Sequence, residues 1–198
     1  MTEISRSLVV LASRQGTNLQ AVLDASANHR LPVRVKAVIS HAKDAPSLER
    51  ARRARVPAYT LVPIAGESRE EFDSRLADVV GNYDPDLVVC AGWMRLLSDA
   101  FLYRFPQETI NLHPALPGQF PGLHAIRRAY ESFSRGEIHE TGATVHKLTE
   151  AIDDGPVIAS EIVSMLRGEP FDRFAMRMHA TEHHVLVEAL AKLCHTAA

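Results

Sequence analysis

The sequence predicts an α/β fold: a mostly parallel central sheet with helices on both faces and an antiparallel C-terminal part. Three observations predict it. Short, continuous apolar runs alternate with segments of helical period through the first half, as strands of a parallel sheet covered on both sides do. After residue 140 two strand-like runs follow each other with only a turn-rich connection, too short for a helical crossover. A length of 198 residues with 46% apolar content supports one sizeable core, so the expectation is a single domain over residues 1–198.

In order, "SLVVLAS" reads as a buried strand, followed by a helix from Thr17 to Ala27. "VRVKAVIS" is a second strand, "PSLERARRA" a helix, and "AYTLV" a short strand. In "SREEFDSRLADVVGNY", Phe72, Leu76, Val79 and Val80 recur at helical spacing. "PDLVVCAGW" and "TINLHP" are further strands, and a helix lies near "AIRRAYESF". "GATVHKL" and "PVIASEIVSM" form the antiparallel part, and a long helix from Phe171 follows.

Composition excludes several classes. A net charge of −2 gives no electrostatic footprint for nucleic acid, and no apolar run approaches membrane-spanning length. The N-terminal apolar run reads as the first strand rather than a secretory signal. Cys90 and Cys194 fit neither a disulfide framework nor a metal spacing, and a reducing cytoplasm is the simplest address. His179 and His183 stand four apart on a helix, but no third ligand accompanies them, so no metal is expected.

Open parallel sheets bind ligands at the carboxyl ends of their strands. Three such ends carry unusual residues. In "LASRQGTNLQ", Gly16 permits a tight turn, and Thr17 and Asn18 open a helix whose free N–H groups suit one phosphate. An ordinary N-cap explains the same residues, and neither a dinucleotide fingerprint nor a P-loop Lys is present. In "CAGWMRLLS", Met94 and Arg95 follow a buried strand, where a flat ring system can lie; a core Trp and Met with a solvated Arg is the plainer alternative. In "TINLHP", Asn111 and His113 share one strand face, about 7 Å apart along its axis. An Asp of the turn in "TEAIDDGPVI" can pair with His113 and hold it as an imidazolium near neutral pH. Such a set suits attack of an amine on an activated carbonyl. An Asn amide and a His donate to the oxyanion, and a carboxylate helps to take the proton from nitrogen.

The combination of "NLHP", "FPGLH", "TGATVH" and "IDDGPVI" resembles the folate-dependent phosphoribosylglycinamide formyltransferase family, over nearly the whole chain. The resemblance implies a Rossmann-like formyltransferase fold and transfer of a formyl group from 10-formyltetrahydrofolate to the amine of glycinamide ribonucleotide. It implies that Asn111 and His113 stabilise the tetrahedral oxyanion while Asp153 orients His113 and assists proton transfer. Gly16, Thr17 and Asn18 match the family's phosphate loop, and Glu182 its ribose-binding carboxylate. Met94, Arg95, Leu97 and the loop Ala151, Ile152, Asp153, Asp154 match the folate pocket. Arg69 matches an Arg near the folate's glutamate end, and His124 a His close to the catalytic Asp.

This sequence departs from the family pattern at Arg14, where a second glycine is usual, and at His179, where a Gln often contacts the ribonucleotide. The implied partners are small molecules, in a monomer or homodimer. The alternatives are a 10-formyltetrahydrofolate hydrolase, which usually carries an extra N-terminal domain, and a formyltransferase acting on another amine. A folate- or nucleotide-binding protein without turnover is a third, but a passive pocket has no use for a His held beside a carboxylate.

Overall fold

A computed structural model describes residues 6–106 and 109–195. Its elements are β1 (Arg6–Leu11), α1 (Thr17–Ala27), β2 (Val33–Ser40), α2 (Pro46–Arg53), β3 (Ala58–Thr60), α3 (Arg69–Gly81), β4 (Leu87–Cys90), α4 (Asp99–Leu102), β5 (Thr109–His113), α5 (Ala125–Ser134), β6 (Glu140–Lys147), β7 (Val157–Ser164) and α6 (Phe171–His195). The seven strands form one sheet in the order β3-β2-β1-β4-β5-β6-β7. Pairing is parallel from β3 to β5 and antiparallel from β5 to β7.

Side-chain alternation along β1 builds two cores. Leu8 and Val10 pack with Leu19, Val22, Val185 and Leu186, under α1 and α6. Val9 and Leu11 face the other way, onto Phe72, Leu76, Val80 and Phe101 of α3 and α4. Both faces are therefore covered, which is why the central strands read as unbroken apolar runs. A third cluster, Val163, Met165, Phe174 and Met178, joins β7 to α6, with Ile126 and Tyr130 of α5 against it.

Two local features show how the sequence sets its elements. Ser68 and Glu71 form a reciprocal capping box that starts α3. The four-residue helix α4 was not expected, because one turn is too short to display a helical period. β3 ends at Thr60 rather than running to Val62.

β1 lies between β2 and β4, and the chain leaves β1 and β4 toward opposite faces. The strand order thus opens a crevice at the carboxyl ends of β1 and β4, bridged by Ser13 N–H donating to the Gly92 carbonyl at 3.1 Å. β5 ends beside it.

Candidate active site

The site is built first by register. β5 pairs Asn111 with Cys90 of β4 and with His146 of β6, and it sets His113 opposite Thr144. Ile110 and Leu112 are buried in the core under α1 and α6, so Asn111 and His113 share the opposite face. The turn between β6 and β7 then brings Asp153 over them, in a left-handed conformation (φ 53°) that Asp tolerates better than most residues.

The three residues expected from the sequence meet at the Asp153 carboxylate. Asn111 Nδ2 donates to Oδ1 at 3.0 Å, and His113 Nδ1 lies 3.3 Å from Oδ2. Two further groups converge there that the sequence reading did not assign. Gly122 N–H donates to Oδ2 at 2.8 Å, and His146 Nε2 lies 3.6 Å from Oδ1 and 3.3 Å from Asn111 Nδ2. His146 is almost fully buried and donates from Nδ1 to the Lys147 carbonyl at 3.0 Å. Its Nε2 therefore accepts from Asn111 when the ring is neutral and donates to Asp153 when it is protonated. Two sequence signals pointed toward it: strand alternation with Thr144, and its place at the end of the "TGATVH" motif.

The charge state differs from the expected one. His113 is 5% exposed, and burial pushes its imidazole below the ordinary range; the Asp153 charge and the Gln119 and Phe120 carbonyls offset this only in part. The expectation that a carboxylate holds His113 as an imidazolium near neutral pH is thus corrected: the ring is driven toward its neutral form. Burial also pushes Asp153 up, but hydrogen bonding with His146 and Gly122 and the charges of His113 and His146 outweigh it, so the carboxyl stays below its ordinary value. Neutral His113 beside ionised Asp153 is the resting pair. Cys90, buried beneath this face, has its thiol pushed up by burial and is no nucleophile.

The second end of the site lies at the start of α1. Gly16 occupies the N-cap at φ 70°, and no side chain caps the helix. A Cβ at Gly16 would stand 2.6 Å from Ser47 Cβ, so both the backbone angle and the space require glycine. α2 braces this loop. Ser47 N–H donates to the Arg14 carbonyl at 3.2 Å, Ser47 Oγ to Ala12 O at 3.2 Å, and Arg50 Nε to Gln15 O at 2.7 Å. Across 164 residues of sequence, Asn18 Nδ2 reaches Glu182 Oε1 at 3.5 Å, joining α1 to α6. Glu182 is buried and also holds His179 Nδ1 at 2.5 Å. That bond pushes His179 up, the opposite direction to His113. Arg14 is exposed.

The residues matched to the folate pocket fall mainly on two segments, the loop after β4 and the turn between β6 and β7 that carries Asp153. Trp93 is a core residue, as the plainer reading had it, but Arg95 is not simply solvated: it is half-buried, its guanidinium lying 4.6 Å from the Phe72 ring centroid. Leu97 packs on the α3 core, and Met94 is half-buried. Ala151, Ile152 and Asp154 are exposed on the turn that carries Asp153. Arg69 lies apart at the exposed start of α3, paired with Glu70 at 3.5 Å. His124 is the exposed, left-handed N-cap of α5 and makes no hydrogen bond to Asp153; the contact from that segment is Gly122's.

A Rossmann-like sheet with an Asn–His–Asp trio over its fifth strand is the arrangement of a group-transfer enzyme. Residues 6–190 match the formyl transferase family. The chain is 43% identical to phosphoribosylglycinamide formyltransferase of Schizosaccharomyces pombe, over 94% of its length and 96% of that protein. It is 40% identical to the Escherichia coli protein of the same name, over 90% and 82%. Among solved structures, glycinamide ribonucleotide transformylase 1 from Symbiobacterium toebii superposes with a TM-score of 0.90 at 41% identity, covering 97% of this chain and 89% of that one. The chain belongs to the phosphoribosylglycinamide formyltransferase family of formyl transferases.

Proposed function

We propose that this enzyme transfers the formyl group of 10-formyltetrahydrofolate to the amine of glycinamide ribonucleotide, in purine synthesis, by direct attack and without a covalent enzyme intermediate. The convergence of Asn111, His113 and Asp153 at the end of β5 carries this reading. The amine nitrogen bonds to the formyl carbon as the carbonyl electrons move onto oxygen. Asn111 and His113 donate to that oxyanion, and each such donor is worth about 3 kcal/mol. Asp153, held ionised, accepts the amine proton, directly or through a water. The proton then goes to the folate nitrogen as its bond to the formyl carbon breaks. A neutral resting His113 fits this sequence of events: its one N–H turns from the Gln119 carbonyl to the oxyanion as a hydrogen-bond donor and stays on the ring, so the only proton that moves is the amine's.

Substrate placement follows the two ends of the site. Gly16, Thr17 and Asn18 would take the phosphate at the N-terminus of α1, and Glu182 the ribose hydroxyls. Met94, Arg95, Leu97, Ala151, Ile152 and Asp154 would hold the folate ring system, with Arg69 toward its glutamate end and His124 at the rim. Asn18 Oδ1 and Arg95 Nε, both buried without a hydrogen-bond partner, supply one polar atom at each end. The reading includes one domain over residues 1–198, a cytoplasmic setting, and a monomer or homodimer acting on small molecules without a metal. Among the described residues no helix is long and apolar enough to cross a membrane.

The test is product formation from 10-formyltetrahydrofolate with and without glycinamide ribonucleotide. Turnover that requires the ribonucleotide, with formyl recovered on its amine, is the expected result. Formate release without it would make the enzyme a hydrolase, and no turnover in either case would point to another amine or to binding alone.

A further inference from the structure

The loop between β5 and α5 is under unusual backbone constraint. Gly118, Phe120, Gly122 and His124 all have positive φ, and at 46° Phe120 is a bulky aromatic residue in a conformation that disfavours it. This loop touches both His113 and Asp153. The Gln119 carbonyl lies 3.2 Å from His113 Nε2, and Gly122 N–H donates to Asp153 at 2.8 Å. Something must hold Phe120 where its own preferences do not.

Arg128 does so from the first turn of α5. Its Nη2 donates to the Phe120 carbonyl and to the Pro121 carbonyl, each at 2.5 Å. The guanidinium also lies 5.8 Å from the Phe120 ring centroid. Both accepting carbonyls fall between Gln119, which touches His113, and Gly122, which touches Asp153, and the Phe120 carbonyl itself also faces His113. α5 is in turn anchored by Ala125 and Ala129, which are buried. A rigid helix thus grips the stretch of chain whose backbone presents acceptors to His113 and a donor to Asp153.

We propose that Arg128 is a positioning residue for formyl transfer: it clamps the Phe120–Pro121 backbone so that Gln119 O and Gly122 N–H hold His113 and Asp153 in their reactive arrangement. The proposal rests on the catalytic reading of the trio. Without the clamp, Phe120 relaxes toward negative φ and Gly122 N–H withdraws from Asp153. The titratable groups facing Asp153 are then His113 on β5 and His146 on β6, and the carboxylate has lost a donor that favours its ionised form.

The experiment compares Arg128→Met with the parent enzyme across pH. The expected result is a kcat lowered about tenfold to a hundredfold, the scale of a displacement of about 1 Å in a reacting group. KM for the ribonucleotide is expected to change by less than about twofold, since α1 and Glu182 are untouched. The acid limb of the kcat profile is expected to move to higher pH. A carbon NMR titration of the Asp153 carboxyl, assigned with Asp153→Asn, is expected to move the same way in the absence of substrate. Parental kcat, or an unmoved Asp153 titration, in folded Arg128→Met protein overturns the clamp. Should that variant fail to fold, Arg128→Lys, which keeps the charge and loses the planar fork, is judged by the same two readouts, with smaller shifts expected. His113→Ala in the same assay separates the two readings. Its loss of turnover beside a parental Arg128→Met overturns the clamp alone, and near-normal turnover of His113→Ala overturns the catalytic reading with it.

Discussion

His113 and His179 stand at the two ends of the site, each with a ring nitrogen facing a carboxylate, yet their imidazoles are pushed in opposite directions. His113 meets Asp153 at 3.3 Å in a nearly closed setting, and burial lowers it despite the negative charge. His179 meets Glu182 at 2.5 Å with about half its side chain open to solvent, and the hydrogen bond raises it. A carboxylate partner therefore does not by itself decide a histidine's charge; the solvent lost by the ring competes with it and wins at β5. The chemistry divides accordingly. On the proposed function, the β5 end holds a neutral ring whose one N–H is donated to the oxyanion, and the α1 end has a ring biased toward cation beside the proposed phosphate site.

The strongest way to break this comparison is His113→Ala, for which kcat is expected to fall about a hundredfold or more in protein that is still folded. Near-normal turnover would remove His113 from the chemistry. Asp153→Asn is expected to lower kcat by at least about tenfold and to abolish the acid limb, because the group that must be ionised is gone. Its His113 ring should titrate still lower by NMR, since the one full negative charge that raises it has been removed; an upward movement would show that burial is not the controlling factor. Glu182→Gln is expected to raise KM for the ribonucleotide about tenfold with kcat little changed, and to bring His179 down toward 6.5. A His179 that titrates as before would cut the link drawn between them.

The smallest expected effect is in stability, where the two rings have opposite signs. For His113 the folded value lies below the unfolded 6.5, so its contribution is present above 6.5 and is lost as pH falls from there toward the folded value. For His179 the folded value lies above 6.5, so its contribution is present below 6.5 and is lost as pH rises through the folded value. Urea unfolding at pH 7.5, 6.5 and 5.5 should show a shallower acid-side loss in His113→Gln than in the parent, by at most about 1.4 kcal/mol per pH unit. A steeper loss in that variant would reverse the sign assigned to His113.

Much of the arrangement was legible in the residues. The alternation of apolar runs and helical periods specified the sheet from β1 to β5 and the change to antiparallel pairing at β6 and β7. Strand period placed Asn111 and His113 on one face, and a turn glycine before Thr17 marked the start of α1. These are local properties, set by side-chain direction and backbone freedom within a few residues, so a sequence carries them directly.

The remainder depended on contacts between distant segments. His146 joins the site only because antiparallel register sets it opposite Asn111, 35 residues away. Gly122 N–H, the Arg128 clamp, and the bracing of Gly16 by Ser47 and Arg50 involve backbone groups that no residue identity announces. The charge of His113 is the clearest case. Its partner was readable as a neighbouring carboxylate, but the direction of its shift follows from how much water the whole fold removes from one ring. Proximity of types is written in the chain; desolvation is a collective property of the packed molecule, and only tertiary structure decides it.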